Sequence, residues 1–130
     1  MDERASANTR DWDAICRFVH QCWVSFQLGA GQPYNAEPDE EDLRSNRTGV
    51  EFVQNHPDAG PSAQHDLWIA TRLADGWACG PIKDKEKKTH PDLVPFESLP
   101  ASEQAKDACF LLAAKLALRL FPEREVWSDE

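Results

Sequence analysis

The sequence predicts a mainly α protein in which antiparallel helices carry a short two-stranded β-hairpin, preceded by an N-terminal helical segment. Apolar residues recur at helical spacing in four stretches, and a segment rich in glycine, proline and lysine separates the last two. At 130 residues and 41% hydrophobic, the chain can bury one core but is too short for two full domains. We therefore expect one compact unit.

The first predicted helix covers about residues 8–28, within an N-terminal helical segment that spans residues 1–60. Thr9 is suited to be its N-cap, and Asp11 and Asp13 would then lie in the first turn, where carboxylates stabilise a helix. Its apolar face is formed by Ile15, Phe18, Val19, Cys22 and Phe26.

Three more helices are predicted further along the chain. The second covers residues 39–55, the third starts with Ser62 as its cap and closes near Gly76, and the last runs from Pro100 to Pro122. The last helix has a wide apolar face and is expected to be central. The positions predicted to face the core are Cys109, Leu112, Ala113, Leu116 and Leu120.

The stretch from Gly76 to Phe96, called the lysine-rich loop below, is too rich in proline, glycine and charge to be helical. We predict a hairpin with strands at residues 77–82 and 92–95 and a lysine-rich tip. Residues 123–130 read as a polar tail.

Charge and composition exclude several classes of function. The chain has 14 basic and 23 acidic residues and a net charge of −9, which argues against a general binder of nucleic acid or of anionic membranes. No apolar run is long enough to span a bilayer, and the N-terminus does not resemble a signal peptide. We expect a cytoplasmic protein, of a bacterium or of the host cell if a phage encodes it.

No catalytic or metal-binding signature stands out. The chain has no nucleophile elbow, no HExxH motif and no Walker lysine. Cys16 and His20 are four residues apart and could supply half of a zinc site, but no second pair has ligand spacing. We therefore predict a non-enzymatic protein without cofactor or metal, whose four cysteines are reduced thiols.

One dense motif spans residues 64–107. It reads H-x-x-W, then G-W-x-x-G-P, then K-T-H-P-x-L-V-P-F-x-x-L and a late aspartate, and its elements begin at His65, Gly76 and Lys88 and end at Asp107. This pattern closely resembles the ryanodine receptor repeat (RyR) domain, and we assign residues 61–122 to such a domain. The visible departure is Cys79, where the family often has tyrosine.

The resemblance implies a fold and a function. Family members are mostly helical, with a small strand pair beside two antiparallel helices, and they are not known as enzymes. In the receptors, tandem repeats pack around a pseudo-two-fold axis, and adenine nucleotides lie in the cleft between them, stacked on the tryptophan of H-x-x-W. Stand-alone bacterial and phage versions are suspected sensors of nucleotide-derived signals.

A paired cleft needs two halves, and two sources are open. His20 and Trp23 have the same spacing as His65 and Trp68, so residues 1–60 could contain a degenerate first half. Otherwise two chains would pair as a homodimer.

The resemblance makes a nucleotide-like small molecule, such as an adenine nucleotide or ADP-ribose, the expected ligand. An indole can stack on a base, and cations can hold phosphates. The candidate ligand-binding residues are Trp68, His65, Arg72, Trp77, Lys83, Lys88, His90 and Trp23.

Plainer interpretations exist for several of these residues. Trp77 suits a core anchor, His90 a turn residue bonded to nearby backbone, and lysines 83–88 a solvated tip. The alternative function is a protein interaction module that docks a partner through the Trp-lined groove or the lysine-rich loop.

Overall fold

The computed structural model describes residues 6–127, and most of them are helical. The mainly α prediction is confirmed. No helix in this range is long and apolar enough to cross a membrane. The elements follow in the order β1 (Ser6–Thr9), α1 (Trp12–Ala30), α2 (Glu40–Asn55), α3 (Pro61–Ala74), β2 (Ala78–Cys79), β3 (Thr89–His90), a 3₁₀ turn (Phe96–Ser98), α4 (Ala101–Leu120) and β4 (Arg124–Trp127).

The chain ends differ from the prediction. Residues 6–9 do not open the first helix but pair antiparallel with residues 124–127, so both the Thr9 cap and the polar tail were wrong there. The N-cap of α1 is Asp11, whose side chain accepts a hydrogen bond of 3.1 Å from the amide of Ala14. Arg10 joins the two ends by donating to the carbonyls of Leu118 and Phe121, at 3.0 and 2.9 Å. Residues 128–130 of the predicted tail lie outside the described part.

The boundaries of the other helices follow local capping rules. Asp39 and Asp42 form a capping box at the start of α2, as the acidic start suggested. The N-cap of α3 is Gly60 and not Ser62, because Pro61 already occupies the first helical position. The chain leaves α3 through Gly76, whose φ of 87° is in the left-handed region that favours glycine.

Three helices build the apolar core. Their fully buried side chains are small or β-branched, which lets the helices approach closely. Helix α4 packs against each of the other three helices and is therefore central, as predicted. The core cluster consists of Ile15 and Val19 from α1, Val50 and Val53 from α2, and Ala113, Ala114 and Ala117 from α4.

The buried face of α4 is only partly the predicted one: Ala113 is buried as expected, and Phe110, Leu111 and Leu118 from the same wide apolar face pack against the core. Leu112 is 69% exposed, and Leu116 and Leu120 are also exposed, so three of the leucines expected in the core face solvent. Ala113, Ala114 and Ala117 take their place and pack in the core with residues of α1 and α2. The helical spacing of the apolar residues was therefore predicted correctly. The side of α4 that faces the core was predicted from the size of its apolar side chains, whereas it depends on how they fit against the other helices.

The lysine-rich loop is held by short strands that pair in parallel, not as the expected hairpin. Ala78 pairs with Thr89 and Cys79 with His90, so the second strand lies before residues 92–95. One antiparallel bridge joins Asp84 to Thr89 inside the loop. The pairing is tight, since a Cβ at Gly80 would lie 2.9 Å from the Cβ of Thr89. The loop therefore needs glycine at this position.

Candidate functional site

A cleft of about 540 Å³ lies inside the single chain, between the four helices and the lysine-rich loop. We call it the aromatic cleft, because Trp23, Trp68 and Trp77 line it. Its volume lies in the range of roughly 300–1,000 Å³ that is typical of small-molecule sites. One chain therefore provides a cavity of ligand size without a second copy.

The H-x-x-W element of α3 forms one wall of the aromatic cleft. His65 is 2% exposed, and its Nε2 donates a hydrogen bond of 2.8 Å to the carbonyl of Val94. Its Nδ1 lies 2.9 Å from Oδ2 of Asp107, the late aspartate of the motif. The Trp68 ring stacks on the His65 ring at a centroid distance of 5.5 Å, and His90 meets Trp68 edge-on at 4.9 Å. Trp68 is thus held in one orientation.

His65 and Asp107 are in direct contact at this wall, with Nδ1 of His65 2.9 Å from the carboxyl group. Nε2 of His65 donates to a carbonyl, so a hydrogen bond between Nδ1 and the carboxyl group needs a proton on one of the two. Burial raises the pKa of Asp107, and the neighbouring His65 opposes that rise. The pair links α3 to α4 behind the Trp68 ring and fixes the wall.

The H-x-x-W element of α1 makes two of the contacts that the element of α3 makes. Nε2 of His20 donates a hydrogen bond of 2.8 Å to the carbonyl of Asn35, and the rings of His20 and Trp23 lie 5.2 Å apart. In each case the histidine bonds to the connection that leads to the next long helix. Because these two contacts match, the similar spacing has a structural counterpart, although among the described residues His20 has no acidic partner like Asp107.

Trp77 and His90 each have a structural role and also line the aromatic cleft. Trp77 is 4% exposed, which confirms a core anchor, but it also lines the aromatic cleft. His90 Nδ1 accepts a 3.0 Å hydrogen bond from the amide of Asp92, as expected of a turn residue, and its ring lines the cleft as well. Burial, and then the nearby cations Lys83, Lys106 and Arg72, lower the pKa of His90 to about 4. The ring is neutral at pH 7.

Two of the predicted cations reach the aromatic cleft. Arg72 lies over the rings of Trp68 and Trp77, at 5.8 and 5.1 Å, and forms an ion pair of 3.1 Å with Glu41. Lys83 Nζ lies 5.5 Å from the Trp23 ring centroid. Burial of its ammonium group against the surrounding protein, and then the nearby charge of Lys85, lower the pKa of Lys83.

Lys88 does not line the cleft. Its ammonium group donates a hydrogen bond of 2.8 Å to the carbonyl of Asp75 and lies 3.9 Å from that residue's carboxylate. The loop turns there, because Lys88 adopts a positive φ of 55°. Its neighbour Lys85 is tied to Asp39 and Asp42, at 2.6 and 3.3 Å. The tip of the loop is thus partly anchored and not wholly solvated.

Sequence reasoning missed a group of polar residues that also line the cleft. Asp92 and Glu103 lie within hydrogen-bonding reach of each other, and Lys106 contacts Glu103 at 2.5 Å. Gln27 and Gln64 are 6% and 7% exposed. All five line the cleft. Four of them, Gln64, Asp92, Glu103 and Lys106, fall within the motif stretch of residues 64–107. No helical apolar pattern marks these four as part of a site.

The four cysteines are free thiols and show no metal-site arrangement. Cys16 and Cys22 lie on α1, Cys109 on α4, and Cys79 is exposed on β2. Burial raises the pKa of Cys16 to about 11, so its thiol is protonated. Within residues 6–127, no group of three or more histidine, cysteine, aspartate and glutamate side chains is placed to hold a metal ion.

The RyR domain family model matches residues 50–114, half of the chain. The match begins inside α2, earlier than the boundary at residue 61, and ends inside α4. It contains His65, Trp68, Trp77 and Asp107, which the structure brings together at the aromatic cleft. The chain therefore belongs to the RyR domain family.

Proposed function

We propose that this RyR domain protein binds a nucleotide-derived small molecule, such as an adenine nucleotide or an ADP-ribose-like compound, in the aromatic cleft and does not turn it over. The observation that carries the proposal is one cavity of about 540 Å³ in which three indoles and a solvent-exposed cation meet. Binding of this kind would serve to sense or to sequester the ligand.

The aromatic walls supply the first part of the binding energy. A base stacked on an indole gains about 1–3 kcal/mol by alanine substitution, whatever the base. Trp68 is held in place by His65 and His90, so little conformational entropy is lost when a base stacks on it. Trp23 is supported by His20 in the same way.

The cations supply the second part. Lys83 is the candidate for phosphate contact, because no ion pair occupies its ammonium group within residues 6–127, whereas Arg72, Lys85 and Lys106 each contact a carboxylate. Charge-assisted hydrogen bonds to phosphate are about twice as strong as neutral ones. The acidic surface of the protein acts on such a contact only weakly beyond about 8 Å at physiological salt.

The matching contacts of His20 and His65 support the idea that residues 1–60 are a degenerate half-repeat. The first half would then complete the cleft within one chain. A homodimer and a cytoplasmic location stay predictions.

The test is thermal stabilisation of the pure protein by adenosine, ATP, ADP-ribose and cyclic nucleotides. A ligand at a hundred times its Kd adds about 2.7 kcal/mol of stability, which gives a clear shift in Tm. Trp68→Ala is expected to lose the shift. Trp12→Ala is the matched control, because Trp12 is also a partly buried tryptophan but packs under Arg47, outside the cleft.

No shift with any compound, from protein that is folded, would contradict the proposal. That result would favour the interaction module, in which the groove docks a partner protein.

A further inference from the structure

We propose that Asp92 and Glu103 form a subsite for the vicinal hydroxyl groups of a ribose, so that the aromatic cleft selects ribonucleosides over compounds that lack both hydroxyls. This inference rests on the proposed function and names the part of the ligand that the polar wall would hold.

The two carboxyl groups come from different elements, and hydrogen bonds hold the backbone of each residue. Asp92 follows β3, and its amide donates to Nδ1 of His90 at 3.0 Å. Glu103 lies in the first turn of α4, where its amide donates to the carbonyl of Pro100 at 3.0 Å. Lys106, one turn further along, contacts the Glu103 carboxylate at 2.5 Å. The pair is thus a preorganised set of acceptors on the cleft wall.

The environment of Asp92 and Glu103 disfavours two adjacent ionised carboxyl groups, and the packing of the protein does not by itself require acids at these positions. Burial, and then the hydrogen bond and charge of Glu103, raise the pKa of Asp92 to about 6. The charged and titratable groups nearby are Glu103, Lys106 and Asp107 on α4, His65 and Arg72 on α3, and Lys83 and His90 on the loop. Two adjoining acids in such a place suit a ligand that donates hydrogen bonds to both.

Independent evidence comes from buried acceptors that have no partner. Oε1 of Gln64 and Oε1 of Gln27 accept no hydrogen bond from any described residue, although both side chains are more than nine-tenths buried and line the cleft. An unpaired buried polar group costs about 1–3 kcal/mol, so such atoms are rare without a partner. Nε1 of Trp77, a buried donor in the same cleft, also has no partner among the described residues. The cleft therefore suits a ligand that brings hydrogen-bond donors for the two amide oxygens and an acceptor for the indole.

The chemistry of these acceptors favours hydroxyl and amino donors over a cation. Five acids face four cations in the cleft, and three of those cations already contact carboxylates, so the charges are nearly balanced. Carboxylates commonly accept hydrogen bonds from ribose hydroxyls in nucleotide sites. An aminopurine ribonucleoside offers both kinds of donor, with the ribose at Asp92 and Glu103.

The test is titration calorimetry at pH 7.5 with adenosine and with 2′,3′-dideoxyadenosine. Neither probe is charged, so phosphate contacts do not contribute. We expect 2′,3′-dideoxyadenosine to bind about 10- to 100-fold more weakly, the usual effect of losing hydrogen bonds to a charged group. The Asp92→Asn variant should bind adenosine at least about tenfold more weakly than the wild-type protein, while its affinity for 2′,3′-dideoxyadenosine should change less than about threefold. Glu97→Gln, which changes an exposed acid on the 3₁₀ turn, should alter neither.

The possible results separate this inference from the proposed function. Equal binding of the two nucleosides by the wild-type protein would overturn the ribose subsite and leave nucleotide binding intact. Binding of neither nucleoside would overturn the ribose subsite, and it would overturn the proposed function only if the nucleotides of the thermal panel also gave no shift. Since the wild-type comparison alone decides the point, the result does not depend on the folding of Asp92→Asn.

Discussion

Gly49 is a position where α2 approaches its neighbours closely. A Cβ added there would lie 2.6 Å from Cζ of Phe110 on α4 and 2.8 Å from Nε2 of Gln64 on α3. Atoms cannot remain at such distances, and the Phe110 ring is packed against the core. We therefore expect Gly49→Ala to destabilise the protein, although alanine is the better helix former.

The size of the effect follows from two opposing terms. In an exposed helix, Gly→Ala stabilises by about 1 kcal/mol. Extra atoms in a packed core cost about 1–3 kcal/mol, and the larger values apply where a ring must move. We expect a net loss of about 1–2 kcal/mol, which corresponds to a fall in Tm of roughly 4–8 °C for a domain of this size.

The assay is urea unfolding followed by circular dichroism, with Gly29→Ala as the matched control. Gly29 is also helical, on α1, but a Cβ there would have no neighbour within 4 Å. The control should gain about 0.5 kcal/mol. If the Gly49→Ala variant proved as stable as the Gly29→Ala variant, that result would refute the close approach of α2 to α4.

Three further predictions test other parts of the account. Ile15→Ala should cost about 2–5 kcal/mol in urea unfolding and Leu112→Ala less than about 0.5 kcal/mol, because Ile15 is fully buried and Leu112 is 69% exposed; equal costs would contradict the observed face of α4. The pKa of Asp92 is raised in the folded state, so its carboxyl group binds more protons there than in the unfolded chain, and stability should fall as the pH rises from about 4 to about 6. Because Asp92 is only half-buried and solvent screens it, the loss should be roughly 1 kcal/mol, and a pH profile unchanged by Asp92→Asn would contradict it. Lys83→Met should weaken ATP binding about tenfold in calorimetry while Lys88→Met leaves it unchanged, since of these two lysines Lys83 lines the cleft and Lys88 does not. Equal effects of the two substitutions would argue for phosphate contact at the loop tip.

The helices could be predicted where the signal is local. Asp39 caps α2, and Pro100 precedes α4 as its position before the apolar run indicated. The burial of Trp77 also followed, because large aromatic residues dominate the cores of small domains. These features depend on a few neighbouring residues, which a sequence displays directly.

Features that depend on distant residues could not be predicted in the same way. Residues 6–9 pair with residues 124–127, more than a hundred positions away, and neither segment has a strong strand pattern of its own. The face of α4 that is buried depends on how α1 and α2 pack against it, and there the core contains alanines where the apolar pattern also offered leucines. The spacing of apolar residues can be read from the sequence, but how the side chains of neighbouring helices fit together cannot.

The aromatic cleft was predicted in part. The motif led to His65, Trp68, Arg72 and His90, and the structure brings all four to the cleft. The carboxyl pair of Asp92 and Glu103 was missed, because these acids meet only when the segment after β3 folds against the start of α4. Their environment, and not their spacing, distinguishes them from surface acids.

The central claim is that one chain holds one nucleotide-like ligand in the aromatic cleft. The most direct measurement is titration calorimetry with the compound that stabilises the protein most in the thermal panel, accompanied by the mass of the protein in solution. We predict one ligand per chain, and no measurable binding by Trp68→Ala. Half a ligand per chain would show that two chains build the site, and unchanged binding by Trp68→Ala would place the ligand outside the cleft.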